Sequence, residues 1–138
     1  MEFLIKPYVG AGKILLGMTS EQIQEVLQIK PDKFKKFEDD EFDTDDFKCC
    51  HVYYKNPGIC EAIEFFGDAN MIINNKTILG KKYAEIKDMF EKIDDSLEFD
   101  ATGLTSFKYG VGVYAPFAKD EPDEPAESVI VFEKGYYD

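Results

Sequence analysis

Leu16-Gly17-Met18-Thr19-Ser20-Glu21-Gln22-Ile23-Gln24-Glu25-Val26-Leu27 reads, in that order, as a turn, a cap and an amphipathic helix. Thr19 or Ser20 offers the side-chain oxygen that accepts from the first unpaired N–H groups of a helix, and acidic and amide residues follow in the first turn. Ile23, Val26 and Leu27 recur at helical spacing and give one apolar stripe, which must stop before Pro31.

Sixty-three residues later the phrase returns in outline. Ile78-Leu79-Gly80 answers Leu15-Leu16-Gly17, and Ile86, Met89 and Phe90 answer Ile23, Val26 and Leu27. Each helix is followed by an acidic connection and a strand-like run, 47–54 in the first half and 107–114 in the second, where Phe, Lys and a terminal Tyr coincide at an offset of 60. A second run closes each half, 61–66 and 127–132, after a turn containing Asn56-Pro57-Gly58 in one case and an acidic, Pro-rich loop in the other. Glu2 to Ile5 and Met71-Ile72-Ile73 add strands ahead of the helices. The expected fold is α+β: one domain over 1–138, a mainly antiparallel sheet with helices packed on one face, built from two diverged helix-plus-strands repeats at about 14–75 and 77–135. Each repeat is too small to be stable alone, and the other sheet face is expected to be open.

The size suits one hydrophobic core, and with 44% apolar and 14% aromatic residues the chain has enough to fill it. Residues 1–18 lack a basic start followed by an unbroken apolar stretch, and no run approaches the roughly 20 apolar residues of a membrane-spanning helix. A cytoplasmic location without membrane association is expected. Cys49, Cys50 and Cys60 are odd in number, and adjacent strand residues face opposite sides, so packed, reduced thiols are expected and not a disulfide framework or a zinc site.

The net charge of −12 is strongly localised. Residues 38–46 carry seven acids, Glu38, Asp39, Asp40, Glu41, Asp43, Asp45 and Asp46, around Phe42; residues 120–127 carry five, including Asp120, Glu121, Asp123 and Glu124. Removing these twelve leaves as many acids as there are lysines, so the rest of the chain is formally neutral. All 16 basic residues are lysine, and an acidic chain without arginine is a poor ligand for phosphate backbones, so no direct nucleic-acid binding is expected. One reading makes the acidic runs solvated loops that maintain solubility. The other makes them a landing surface for a basic protein, with Phe42 as an apolar anchor.

In the order of its elements, and in Gly17-Met18-Thr19 ahead of the helix, the chain resembles the two-repeat fold of the beta-lactamase inhibitor protein and the small outer-membrane assembly lipoproteins. In the second half Lys81-Lys82-Tyr83 replaces the Met-Thr phrase. In size and acidity it resembles the immunity proteins that bacteria make against contact-dependent or polymorphic toxins. That resemblance implies an inhibitor that occupies a basic toxin domain, such as a nuclease, without chemistry of its own. A non-enzymatic adaptor binding another protein through the open sheet face is the alternative.

Catalytic signatures are missing or incomplete. Gly10-Ala11-Gly12-Lys13 has Pro7 where a phosphate loop needs its first glycine and Ile14 where it needs Ser or Thr, and Gly110-Val111-Gly112 lies in a strand pattern. Residues 43–46 lack the glycine turn of a calcium loop. With His51 the one histidine, Cys50 would face away from it on a strand. No cofactor, metal or catalytic group is expected. His51, Tyr53 and Tyr109 are candidates for anchors on the open sheet face, against the rival reading that they are core packing.

Overall fold

The computed structural model describes residues 1–138. The chain begins with β1 (Glu2–Lys6), whose Phe3 and Ile5 point inward between exposed neighbours. A tight hairpin of β2 (Gly10–Ala11) and β3 (Ile14–Leu15) follows. Gly10-Ala11-Gly12-Lys13 thus makes a strand and its turn. Then come α1 (Ser20–Leu27), β4 (Asp32–Phe34), β5 (Thr44–Asp46), β6 (Cys50–Lys55) and β7 (Ile59–Phe66). After β8 (Asn70–Ile73) and β9 (Lys76–Thr77) come α2 (Tyr83–Ile93), β10 (Glu98–Asp100), β11 (Gly103–Ser106), β12 (Val111–Tyr114) and β13 (Ser128–Phe132). The protein is α+β and mostly antiparallel, with a small helical share. No helix is long and apolar enough to cross a membrane.

Thr19 caps α1 by accepting from the Gln22 N–H, and Gln22 returns a side-chain acceptor to the Thr19 N–H at 2.9 Å. Gln28, left-handed at φ 56, closes the helix three residues before Pro31. At the start of α2, Lys82 has no side-chain cap to offer. Main-chain carbonyls of the second acidic loop accept from its first turn instead: Glu124 from Tyr83 N–H and Pro122 from Ala84 N–H, each at 2.9 Å. Gly17 and Gly80, both at φ 92, make the same left-handed turn ahead of the two helices.

The large sheet has the strand order β10-β11-β12-β13-β7-β6-β5-β4, antiparallel throughout. Each helix is therefore followed by four strands of this sheet, where the sequence pattern marks two runs, and the last strand of each set meets the other at the centre. The second sheet has the order β3-β2-β1-β8-β9, and β1 and β8 run parallel. The strand-like run 47–54 begins late, at Cys50, and 107–114 begins at Val111.

Alternation along the strands separates two apolar groups. Ile23 and Leu27 of α1, with Tyr83, Ile86 and Phe90 of α2, join Phe3, Met71, Val52, Ile63, Val129 and Val131 in a core cluster of 26 buried residues. Burying stripes of this kind, at about 25 cal/mol per Å² of apolar surface, is what orients helices whose intrinsic stability is marginal. Tyr53, Ala62 and Phe132 form a smaller cluster with Tyr8, Ile130 and Tyr136 packed on it. The sheet face expected to be open is therefore partly covered, by the C-terminal turn and by Tyr8.

Candidate functional site

The first acidic run is divided between a loop and a strand. Residues 35–43 form the loop joining β4 to β5. Asp40 organises it: its carboxylate accepts from the Phe37 N–H at 2.9 Å, and its carbonyl accepts from Lys35 Nζ at 2.9 Å. Lys35 also lies 3.6 Å from Asp43. Glu38, Asp39 and Glu41 are exposed, with Asp40 and Phe42 half-buried.

This loop closes one side of a cavity of about 280 Å³. Phe37, Phe42, Tyr53, Tyr54 and Tyr136 supply its aromatic walls, and Asp40, Glu41 and Glu61 its acids. Lys36 Nζ lies 4.4 Å from the centre of the Tyr53 ring and 5.7 Å from that of Phe37. A cation is thus already seated against these ring faces, in the geometry by which aromatic side chains attract ammonium and guanidinium groups. The Tyr53 ring is fixed by its hydroxyl, which donates to Glu64 at 2.5 Å. Burial, and then the neighbouring Glu64, raise the Tyr53 hydroxyl pKa, so that oxygen remains a donor. Burial pushes Tyr136 up to about 12. Burial, with Glu133 nearby, also raises the Glu61 carboxyl above its ordinary range. Lys36 and Lys55 also line the cavity, so its acids already have cations beside them.

No family model, curated protein or solved structure matches this chain. The surroundings of its side chains carry the functional argument.

Several predicted contact residues lie elsewhere. Asp45 is fully buried and is no landing surface: it binds Lys33 Nζ at 2.5 Å, the Tyr54 hydroxyl at 2.6 Å and the Ser20 hydroxyl, tying β5 to the first turn of α1. Asp46 accepts from the Lys48 N–H at 2.8 Å and lies 3.6 Å from His51 Nε2. His51 is half-buried between the edges of Phe34 and Phe66, with ring centres 5.1 and 4.6 Å away, and is more packing than anchor. Tyr109 sits in the turn before β12 and packs on the main core, while Tyr53 belongs to the smaller cluster. The three side chains therefore do not make one anchor.

Asp120, Glu121, Asp123 and Glu124 are exposed on the β12–β13 loop, whose main chain caps α2. The start of β13 pairs with the end of β7, Ser128 with Phe66, whereas the first acidic loop lies by Gly58 at the start of β7. The two runs stand at opposite ends of the sheet, so the single acidic surface separates into two. Lys36, Phe37 and Glu61 were not singled out by sequence patterning. The signal for the first two is the basic-aromatic pair directly before the acidic run; Glu61 reaches the cavity only through strand pairing.

Proposed function

We propose that this protein is a non-enzymatic inhibitor of the immunity type, acting in the cytoplasm by occupying a basic protein domain. The observation that carries the reading is the convergence of Asp40, Glu41, Phe42 and Tyr53 on one aromatic cavity in which a lysine ammonium is already seated. An arginine or lysine of a basic partner, such as a toxin domain, has there both a ring face and a carboxylate. The exposed Glu38, Asp39 and Asp43 around it would speed encounter. The second run, at the far end of the sheet, is assigned to solubility and to holding α2.

Low-salt capture with the whole chain as bait, released by a salt step, retrieves the partner. Association rates are then measured against ionic strength. The expected result is a steep fall with salt, and a loss of about tenfold or more in affinity for D40N/E41Q/F42A, since hot-spot removal costs about 2 kcal/mol. Neutralising residues 120, 121, 123 and 124 should leave affinity nearly unchanged. A salt-insensitive complex would sink the proposal. The adaptor reading is favoured by Phe34, Tyr114 and Tyr137, which stay exposed toward the sheet's second face; it predicts a partner retained by the triple variant.

The architecture is proposed to derive from a duplicated helix-plus-four-strand unit with both helices on one face of the large sheet. The central register supports this. Ser128 pairs with Phe66 and Phe132 with Ala62, each the image of the other at an offset of 66, with Glu64 and Ile130 on the axis. The bridges Thr19–Ile59 and Lys82–Pro125 also tie each helix start to the chain entering its own fourth strand. The acidic loops are then insertions at non-equivalent places, between the first and second strands of one unit and the third and fourth of the other.

A further inference from the structure

Cys49 and Cys50 are adjacent, and in an unbroken strand their side chains would diverge. β6 begins only at Cys50, however, and Lys48, at φ 74, bends the chain just before it. The two sulfurs are brought to 3.6 Å and share a hydrogen bond. The main chain around them is held from both sides: the Cys50 carbonyl accepts from Phe47 N–H at 2.9 Å, and the Cys49 carbonyl from Phe66 N–H at 3.2 Å.

The two thiols have different surroundings. Cys50 is fully buried in the main core. Cys49 is half-buried and lines a second cavity, of about 730 Å³, with Phe3, Ile29, Phe47 and Phe66. Lys30 and Lys48 border the same cavity against a single carboxylate, Asp68, a local excess of positive charge in a chain of net charge −12.

We propose that Cys49 and Cys50 form a thiol–disulfide exchange site for anionic, low-molecular-weight disulfides, with Cys49 as the attacking and Cys50 as the resolving sulfur. The Cys49 thiolate bonds to one sulfur of the reagent, whose own S–S bond breaks and releases a thiolate. Cys50 then bonds to Cys49 Sγ, the mixed disulfide breaks, and a second thiolate leaves; the Cys50 proton passes to a departing thiolate. Two protein thiols are oxidised and one disulfide is reduced to two thiols. The division of roles agrees with the acidities. The hydrogen bond shared with Cys50 lowers Cys49 to about 7 against the opposing effects of burial and Asp46, while that same bond, and then burial, push Cys50 upward. Cys60, raised to about 12 by burial, is the inert internal control.

The reduced whole chain, freed of reductant, is incubated at neutral pH with glutathione disulfide and followed by intact mass and peptide mapping. The expected product has lost the mass of two hydrogens in the peptide holding residues 49 and 50, without a glutathione adduct, and excess thiol reverses it. Formation should be roughly threefold or more faster than in the denatured chain, because the larger thiolate fraction outweighs the lower nucleophilicity of a more acidic thiol. C50S should stop at the Cys49 adduct, C49S should form neither product, and C60S should behave as the parent. Should C50S not fold, the folded-against-denatured rate comparison in the parent chain decides. Equal rates in the two states, an adduct that persists in the parent, or oxidation of C49S as fast as the parent would overturn the assignment.

Discussion

Asp45 shows how little a residue's place in a charge run says about its role. Among seven acids in nine positions it is the one wholly buried, because its strand turns it toward Lys33, Tyr54 and Ser20. A carboxylate without solvent needs such partners, and removing it leaves the half-buried Tyr54 hydroxyl and the Lys33 ammonium without their acceptor. Asp45→Ala should therefore cost about 2–3 kcal/mol, read as a lowered midpoint in urea, while Asp43→Ala on the exposed loop should stay within about 0.5 kcal/mol of the parent. Equal effects of the two changes would contradict this placement. The second half has a corresponding anchor of different make: burial alone would raise the Asp94 carboxyl, but hydrogen bonds from Ser106 and Ser96 outweigh it and lower the pKa. Sequence reading could identify the acids but not separate Asp45 from them, since composition is blind to strand phase inside a charged stretch. Tyr53, by contrast, was legible as an aromatic on a strand whose other face is apolar.

At the scale of elements, the two helices were readable because cap, stripe and stop all agree, and the strands were readable in proportion to their alternation. β7 and β13 are dense in apolar, β-branched and aromatic residues, and their positions match expectation closely. β4 and β10 are three-residue edge strands exposed at every position, so no apolar period marks them; charged, short edges are how sheets discourage further pairing. The caps give a test. Thr19→Ala should cost about 1 kcal/mol by removing a reciprocal cap, whereas Lys82→Thr, at an N-cap that already has extended backbone, should gain about 0.5 kcal/mol. Both are read from chemical unfolding at neutral pH. A neutral Thr19→Ala would mean that the first turn of α1 is held by Ser20 and Asp45 alone.

For the whole molecule, the division into halves that is visible in sequence is not a division into independent parts. The centre of the large sheet is the β7–β13 pair, one strand from each side of residue 75, and the β8–β9 hairpin spans the same divide in the second sheet. Cutting the chain after residue 75 would leave β7 paired with β6 but strip it of β13, and would open the core where Ile63 and Phe65 sit in one cluster with Val129, Val131, Ile86 and Phe90. A fragment of that length is marginal even with a complete core, and here each piece would hold only part of one shared core. Residues 1–75 and 76–138, expressed separately, should each show no cooperative unfolding transition, and mixing them should restore the β-sheet signal with a concentration-dependent midpoint. The dependence on concentration is the decisive feature, because a half that folded alone would unfold at a midpoint indifferent to its complement. The net charge bears on the same experiment. The first fragment carries the run at 38–46 and the second the run at 120–127, and in the folded chain these lie at opposite ends of the sheet. Added salt should therefore help reassembly only modestly, since the charges it screens are already far apart.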